Sequence, residues 1–349
     1  MLRVIFVLLM GLSTFVFAQT NDDCMMCHSD PELTGLTADD TEISMFVDLE
    51  KYAESSHGGF ACVDCHQDLE GFADYPHAEE LELVNCGNCH SDVQEEYDET
   101  KHGLKFIGME QIAPKCSDCH GIHYILPSSD PNSMTHFQNL PATCCNCHEA
   151  RNAATNRNYL GPCVREEYLR GVHGKLIQEG FDGAPTCNTC HPAHSIRKGI
   201  DPQSKIYKMN IGNTCGECHI DALAEYSESI HSRALTHGIF ESATCTDCHG
   251  EHQIIQPDSA SLTAAHDACI ECHTNEKLIR KYDLPESVVS TYVDSYHGLS
   301  IRLGREDAAT CASCHGNHRI LEASDPFSSV HENNLVETCA KCHENVNQS

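Results

Sequence analysis

Basic residues are scarce in this sequence. The 22 lysines and arginines stand against 52 aspartates and glutamates, and the net charge is −30 with histidine neutral. Gripping a phosphate backbone takes a basic face, so no nucleic-acid partner is expected. The acidity serves solubility, or steers cationic partners and forms docking patches. Long apolar runs are missing too, with one exception. Val4 to Phe17 is apolar, follows the basic start Met1-Leu2-Arg3, and leads to Val16-Phe17-Ala18 as a small-residue cleavage site. That is the pattern of a secretion signal over 1–18, leaving a chain that begins at Gln19. The run is too short to favour a span, so the mature chain is expected to be exported, without a membrane span, and periplasmic or extracellular. Alternating strand-like runs are also lacking. Methionine is sparse, with only Met45, Met109, Met134 and Met209 beyond residue 26.

Cysteine and histidine are abundant instead, at 24 and 25 residues. Twenty-two of the cysteines fall in eleven copies of C-x-x-C-H. These are Cys24, Cys27 and His28; Cys62, Cys65 and His66; Cys86, Cys89 and His90; Cys116, Cys119 and His120; Cys144, Cys147 and His148; and Cys187, Cys190 and His191. Then follow Cys215, Cys218 and His219; Cys245, Cys248 and His249; Cys269, Cys272 and His273; Cys311, Cys314 and His315; and Cys339, Cys342 and His343. A bare C-x-x-C could be half a zinc site or a redox dithiol, but neither demands a histidine immediately after. Both thiols adding to the porphyrin vinyl groups, with the adjacent histidine reaching the iron, does demand it. The motif therefore predicts eleven covalently attached haem c groups, each motif histidine being the proximal iron ligand. The remaining cysteines are Cys145 and Cys163. In an exported chain they are expected to form a disulfide; the alternatives are two free thiols or a metal-bound one.

The fourteen histidines outside the motifs fall into classes that reveal a repeat. His57, His102, His173, His231 and His297 sit in S-x-H-G-like settings, each with a tyrosine five residues earlier: Tyr52, Tyr97, Tyr168, Tyr226 and Tyr292. His123, His194, His252 and His318 each follow a motif histidine by three residues, which is too close to reach over its own iron, so they are expected to serve neighbouring haems. Segments from Ser129-Asp130-Pro131 to Thr143 and from Ser324-Asp325-Pro326 to Thr338 match one another, with His136 and His331 in register. The chain thus reads as a single-haem segment (19–49), a condensed two-haem unit (50–92) and two-haem units at 95–150, 165–221, 224–275 and 290–345. Stacked units of this kind are held by their interfaces. The fold class expected is mainly α with extensive coil, a haem-cored array with short helices and little or no β-sheet. Helices are expected over 91–101, 165–173, 221–231 and 286–297, each running up to a distal histidine.

Axial ligands decide what a haem does. Nine distal ligands come from the two classes above, and His77 replaces the missing one in the condensed unit. The eleventh falls to His136, His237, His266 or His331, leaving three surplus. All-histidine ligation keeps potentials low, since methionine raises them. No C-x-x-C-K motif is present and no catalytic residue is assigned. In the third two-haem unit, 165–221, Tyr207 stands where His136 and His331 stand, with Lys208 and Met209 beside it.

The chain resembles multihaem cytochromes c of the cytochrome c3-like, doubled-motif kind. The resemblance rests on Ser295 to Gly298, Cys311 to His318, Asp325 to Ser328 and Cys339 to His343, and extends over residues 24 to 343. It implies haems packed in parallel and perpendicular pairs that relay electrons. The function expected is electron transfer between redox partner proteins, from a membrane quinol-oxidising donor to a terminal or outer-surface acceptor, with no bond chemistry at the protein. Two alternatives stand beside it. One is a reductase of nitrogen or sulfur oxyanions with one five-coordinate haem. The other is a homo-oligomeric extracellular filament, in which the leading haem takes a ligand from the next subunit.

Eleven motifs over the mature chain leave about thirty residues per haem, too few for a conventional core around each. Haem-free chain, made where haem is not attached, is therefore expected to show no cooperative thermal transition by circular dichroism; a sharp transition would refute this.

Overall fold

The computed structural model describes residues 19–37, 40–72, 75–77, 81–100, 102–103, 113–148, 164–255, 262–305, 307–344 and 346, with 262–266 by backbone only. The secretion signal expected at 1–18, Cys163 and the side chain of His266 lie outside the described residues. The chain divides into two compact units. One comprises Met1–Glu95 with Pro114–Ser133, the other Glu96–Ala113 with Met134–Ser349.

The fold is short helices joined by coil, as the sequence implied. Among the described residues, the longest helix, Leu262–His273, has twelve residues. The only strands there, β1 (Thr34–Leu36) and β2 (Glu42–Ser44), pair antiparallel in the leading segment. At three residues each they are too short to show a period-two pattern. No described helix is long and apolar enough to cross a membrane.

The two motifs of a repeat are built differently. The first motif opens its own short helical turn, as at Cys62–Cys65, Cys116–His120, Cys187–Cys190, Cys245–His249 and Cys311–His315. The residue before the second cysteine reaches back to the backbone N–H of the residue before the first. Asp64 accepts from Ala61 at 2.7 Å, Asp247 from Thr244 at 2.7 Å and Ser313 from Thr310 at 3.0 Å. Such a cap is worth about 1 kcal/mol, and it fixes the turn that carries both cysteines. After the motif histidine, Gly121, Gly250 and Gly316 end the turn with φ of 82°, 85° and 80°, a left-handed conformation that favours glycine. Four of the second motifs instead end or interrupt a helix already under way, in Leu140–His148, Ile211–Gly216, Leu262–His273 and Leu335–Ala340.

The helices expected to run into the distal histidines stop short of them. Arg165–Arg170, Ile220–Glu228 and Val288–Val293 end, the chain extends, and new helices begin at Val172, Ile230 and Tyr296, one residue before the histidine. Side-chain caps cause the break in two of the three. Ser229 Oγ accepts from Ser232 N at 3.1 Å, and Ser295 Oγ from Gly298 N at 3.2 Å. The break folds the histidine helix back so tightly that a Cβ at Gly174 or Gly298 would lie 2.1 or 2.2 Å from the carbonyl oxygen of Tyr168 or Tyr292. Ser232 occupies this place in one repeat. The tyrosine five residues before the distal histidine spends its hydroxyl on the approach to the first motif. Tyr168 donates to Pro185 O, Tyr226 to Ala243 O and Tyr292 to Ala309 O, each at 2.8 Å, and Tyr52 to Phe60 O at 3.0 Å. That contact ties the helix preceding the distal histidine to the residue two before the first motif cysteine.

Little of the interior is the protein's own. Among the described residues eight apolar side chains are buried, against thirteen polar ones, mostly serine and threonine. The polar ones are hydrogen-bonded into turns: Thr143, Thr214 and Thr338 each donate to a carbonyl nine residues earlier at 2.7 Å. These interactions shape loops without assembling a core.

Neighbouring repeats are joined by a recurring backbone clasp. The N–H of the residue before a distal histidine donates to the carbonyl two residues past the C-H-x-x-H histidine of the next repeat. The pairs are Ser56 to Ile125 at 2.7 Å, Val172 to Ile254 at 2.9 Å and Ile230 to Ile320 at 2.8 Å. Val172 is the first residue of its helix, where proline is tolerated, and Gly171 before it is already extended. Val172→Pro therefore removes the clasp and spares the helix. The loss expected is about 1 kcal/mol, read as a lower thermal midpoint of the haem-loaded protein at unchanged helical circular dichroism.

Candidate haem-binding sites

Helix breaks, clasps and motif turns together set imidazole rings opposite one another at nearly one separation. Each pairing joins a motif histidine with a non-motif histidine. In the first compact unit, ring centres are 6.1 Å apart for His28 and His77, 6.1 Å for His57 and His90, and 6.3 Å for His66 and His123. In the second they are 6.3 Å for His102 and His148, 6.1 Å for His173 and His219, and 6.2 Å for His191 and His252. The remaining three are 6.4 Å for His231 and His273, 6.1 Å for His249 and His318, and 5.8 Å for His297 and His343.

The separation fits one metal ion between two rings. Two metal–imidazole bonds of about 2 Å, with about 1 Å from each bonding nitrogen to its ring centre, add to about 6 Å. Rings in van der Waals contact would stand closer, and hydrogen-bonded rings would not recur at one distance nine times. None of the motif cysteines is disulfide-bonded, as haem attachment requires. The residues present fit bis-histidine haem c.

Other features prepare the rings as ligands. Burial, and then the imidazole opposite, pushes His102, His173, His191 and His231 below the ordinary histidine pKa, so at neutral pH they present the lone pair that binds metal. His28 Nδ1 meets Met45 O at 2.7 Å and His249 Nδ1 meets Ile255 O at 3.1 Å. Nδ1 can only donate to a carbonyl, which leaves Nε2 as the coordinating atom. Behind His318, Glu225 Oε2 lies 3.4 Å from Nδ1, an arrangement that raises ligand basicity.

The pairs obey a rule of succession. An S-x-H-G histidine faces the second motif of its own repeat, in all five repeats. A C-H-x-x-H histidine faces the first motif of the preceding repeat, as with His123 and His66, His252 and His191, and His318 and His249. His77 takes that part for the leading motif. Sequence spacing could not reveal which repeat a histidine serves, and it missed the clasp and Glu225. One signal was there: His123, His252 and His318 are each followed two residues on by isoleucine, the clasp acceptor.

Other candidates sit elsewhere. His136 is buried, its Nδ1 accepts from Gln138 N at 3.4 Å, and its ring packs on Phe137. His331 holds the equivalent turn, its Nδ1 accepting from Asn333 N at 3.3 Å. Tyr207, in the same place in the third two-haem unit, packs on Phe240, and Lys208 pairs with Asp247 at 3.3 Å. His237 is exposed, with Nδ1 on Arg233 O at 2.7 Å. Among the described residues none of these three histidines faces a motif histidine. Cys145 is buried and disulfide-bonded.

Successive motifs also meet through their sulfurs. In the first unit Cys24 hydrogen-bonds Cys62, and Cys65 is in electrostatic reach of Cys89. In the second, contacts link Cys144 with Cys187, Cys190 with Cys215, Cys215 with Cys245, Cys248 with Cys272, Cys269 with Cys311, and Cys314 with Cys339. Within each unit the attachment points thus follow one another in chain order.

Comparison with known proteins agrees with the geometry. Residues 202–349 match the NapC/NirT cytochrome c family, N-terminal region. The multiheme cytochrome MtrA of Shewanella baltica (strain OS185) is 25% identical over 187 residues, covering 51% of this chain and 48% of that protein. The match spans about half the length of that relative. No solved structure matches. The chain is a multihaem c-type cytochrome, with several covalently attached haems.

Each distal histidine faces one motif histidine, so its removal has a local signature. In His252→Ala holoprotein one iron, that of His191, is expected to turn high-spin and to bind carbon monoxide once reduced. Haem content should stay the same, as measured by electron paramagnetic resonance and the pyridine haemochrome assay.

Proposed function

We propose that this chain is an exported undecahaem c-type cytochrome that carries electrons between a membrane quinol-oxidising donor and a terminal or extracellular acceptor. The observation that carries the reading is the set of nine opposed histidine pairs at a single spacing. Haem c bound between them supplies reversible one-electron Fe(III)/Fe(II) chemistry. Two imidazoles on an iron leave no position for a substrate, so the residues here serve to hold, space and tune.

The distal ligands in this reading are His57, His77, His102, His123, His173, His231, His252, His297 and His318, facing the motif histidines named above. His194 joins them as a member of the C-H-x-x-H class. His136, His237 and His331 are engaged in turns and helix ends, and serve structure. Cys145 takes Cys163 as its disulfide partner, in keeping with an oxidising compartment outside the cytoplasm. Imidazole ligation throughout, with Glu225 behind His318, favours the ferric state and low potentials. The succession of neighbouring attachment sulfurs within each unit would hold consecutive haems near one another, which suits a relay. The likeness to a multiheme cytochrome supports this reading.

Purified holoprotein tests it. The mass should account for eleven haems, and spectra should be dominated by low-spin iron. Redox titration should span a broad low-potential range, and nitrite or hydroxylamine should not be turned over. A high-spin share well above one iron in eleven, or turnover of either compound, would defeat the electron-carrier reading.

A further inference from the structure

We infer that the residue immediately before a repeat's tyrosine is a positioning residue for the iron shared with the following repeat, acting on it through the facing imidazole. Glu225 in this place makes the iron of His249 hard to reduce, and Lys51 in the same place leaves the iron of His66 easy to reduce. The inference rests on the reading that haem c is attached at Cys62 and Cys65 and at Cys245 and Cys248.

The rule of succession supplies the register. His318 comes from one repeat to face His249 of the repeat before. Behind it stands Glu225, whose Oε2 is 3.4 Å from His318 Nδ1, and Glu225 directly precedes Tyr226. One residue further on, Arg319 pairs with Glu228 at 2.6 Å. His123 comes to His66 in the same way, and the clasp of Ser56 with Ile125 is the equivalent of that of Ile230 with Ile320. Here the residue before Tyr52 is Lys51. Its Nζ lies 5.9 Å from the ring centre of Tyr124, and Tyr124 packs edge-on against His123 at 6.3 Å. Lys51 also pairs with Asp48 at 3.4 Å, which tempers its charge without replacing it by a carboxylate on the ring. Glu96 and Glu167 hold the place in the second and third two-haem units, and Thr291 in the fifth. The position thus changes charge along the chain while the tyrosine beside it stays the same.

The motif side of the two irons differs in the same sense. His249 Nδ1 donates to Ile255 O at 3.1 Å. In the compact unit that holds His66, His28 Nδ1 donates to Met45 O at 2.7 Å. His66 Nδ1 is buried with no hydrogen-bond partner, the one such side-chain nitrogen or oxygen among the described residues. Asp68 is within electrostatic reach of His66, but it is exposed and its carboxylate accepts from Glu82 N at 2.8 Å.

A hydrogen bond accepted from Nδ1 makes an imidazole a stronger donor to metal, and a stronger donor favours Fe(III). The iron of His249 has that support from both of its rings. The iron of His66 lacks it from His66 and meets a cation on the side of His123. Each iron passes from Fe(III) to Fe(II) with one electron, supplied by the redox partner or a neighbouring haem, and the iron of His66 takes its electron at the higher potential. The array therefore carries a built-in slope, on which electrons leave the iron of His249 readily and rest on that of His66.

The test is a redox titration of purified holoprotein followed by electron paramagnetic resonance. Mass spectrometry first establishes that the fragments with Cys62 and Cys245 carry haem; a bare fragment would fault the haem assignment and the inference with it. In Glu225→Gln protein one single-electron component is expected to move up, by about threefold in its ferrous-to-ferric ratio at fixed potential, or about 30 mV. In Lys51→Glu protein a different single-electron component should move down by a similar amount, and Lys51→Gln should move it less. In wild type the second component should lie above the first. Glu228→Gln breaks the neighbouring ion pair without touching an imidazole, and should leave both components in place. Four results would overturn the inference. These are no movement in the Glu225 and Lys51 variants at unchanged haem content, movement of both components in one direction, and a wild-type order the reverse of that expected. The fourth is a Glu228→Gln shift as large as that of Glu225→Gln, which would trace the effect to the stability of the interface.

Discussion

Pairs of imidazoles held about 6 Å apart, the separation a shared metal ion requires, are the constraint on which this structure depends. One ring of each pair belongs to a C-x-x-C-H motif, and in the pairs of His173, His231 and His297 the other sits on a helix that starts one residue before it. A metal bond tolerates errors of a few tenths of an ångström, so everything between the rings must be held to that tolerance. Hence the capped motif turns, the tyrosine hydroxyls tied to the residue two before the motif, and the backbone clasps. These hydrogen bonds are individually small. Their value lies in positioning rings whose bonds to iron are much stronger.

The same constraint explains the composition of the interior. A helix normally earns its place by burying an apolar stripe. Here Ile177, Leu235, Ile279 and Leu321 are among the few buried aliphatic side chains, and the buried set is dominated by hydroxyls satisfied within turns. The apolar faces left exposed around the motifs are the surfaces a porphyrin covers, so the cofactor is at once the redox group and the missing core.

Much of this was legible in the sequence. Eleven copies of C-x-x-C-H pointed to the cofactor, and the two registers of outer histidines marked most of the rings that face motif histidines. His57, His102, His173, His231 and His297 emerged as one class because a repeated offset is a geometric statement. The partner of each class was not legible. His252 follows His249 by three residues, yet it faces His191 of the preceding repeat, because contact across a repeat boundary depends on how the chain turns. The helix breaks were hidden too. The stretches leading to His173, His231 and His297 have helical character throughout, and the interruption depends on Ser229 and Ser295 diverting a backbone N–H, and on an extended Gly171. Tyr168, Tyr226 and Tyr292 stood out by position, but only the fold shows their hydroxyls on backbone carbonyls.

Because His123, His252 and His318 each face a motif histidine of the repeat before, the repeats are modular in their order but not in their parts. A cut made between a first motif and the C-H-x-x-H segment that follows it strands two sites. Chains built on this scheme can grow or shrink over generations only in steps of two haems, and the leading haem, served by His77 instead of a member of the series, is the odd one that counts where the steps begin.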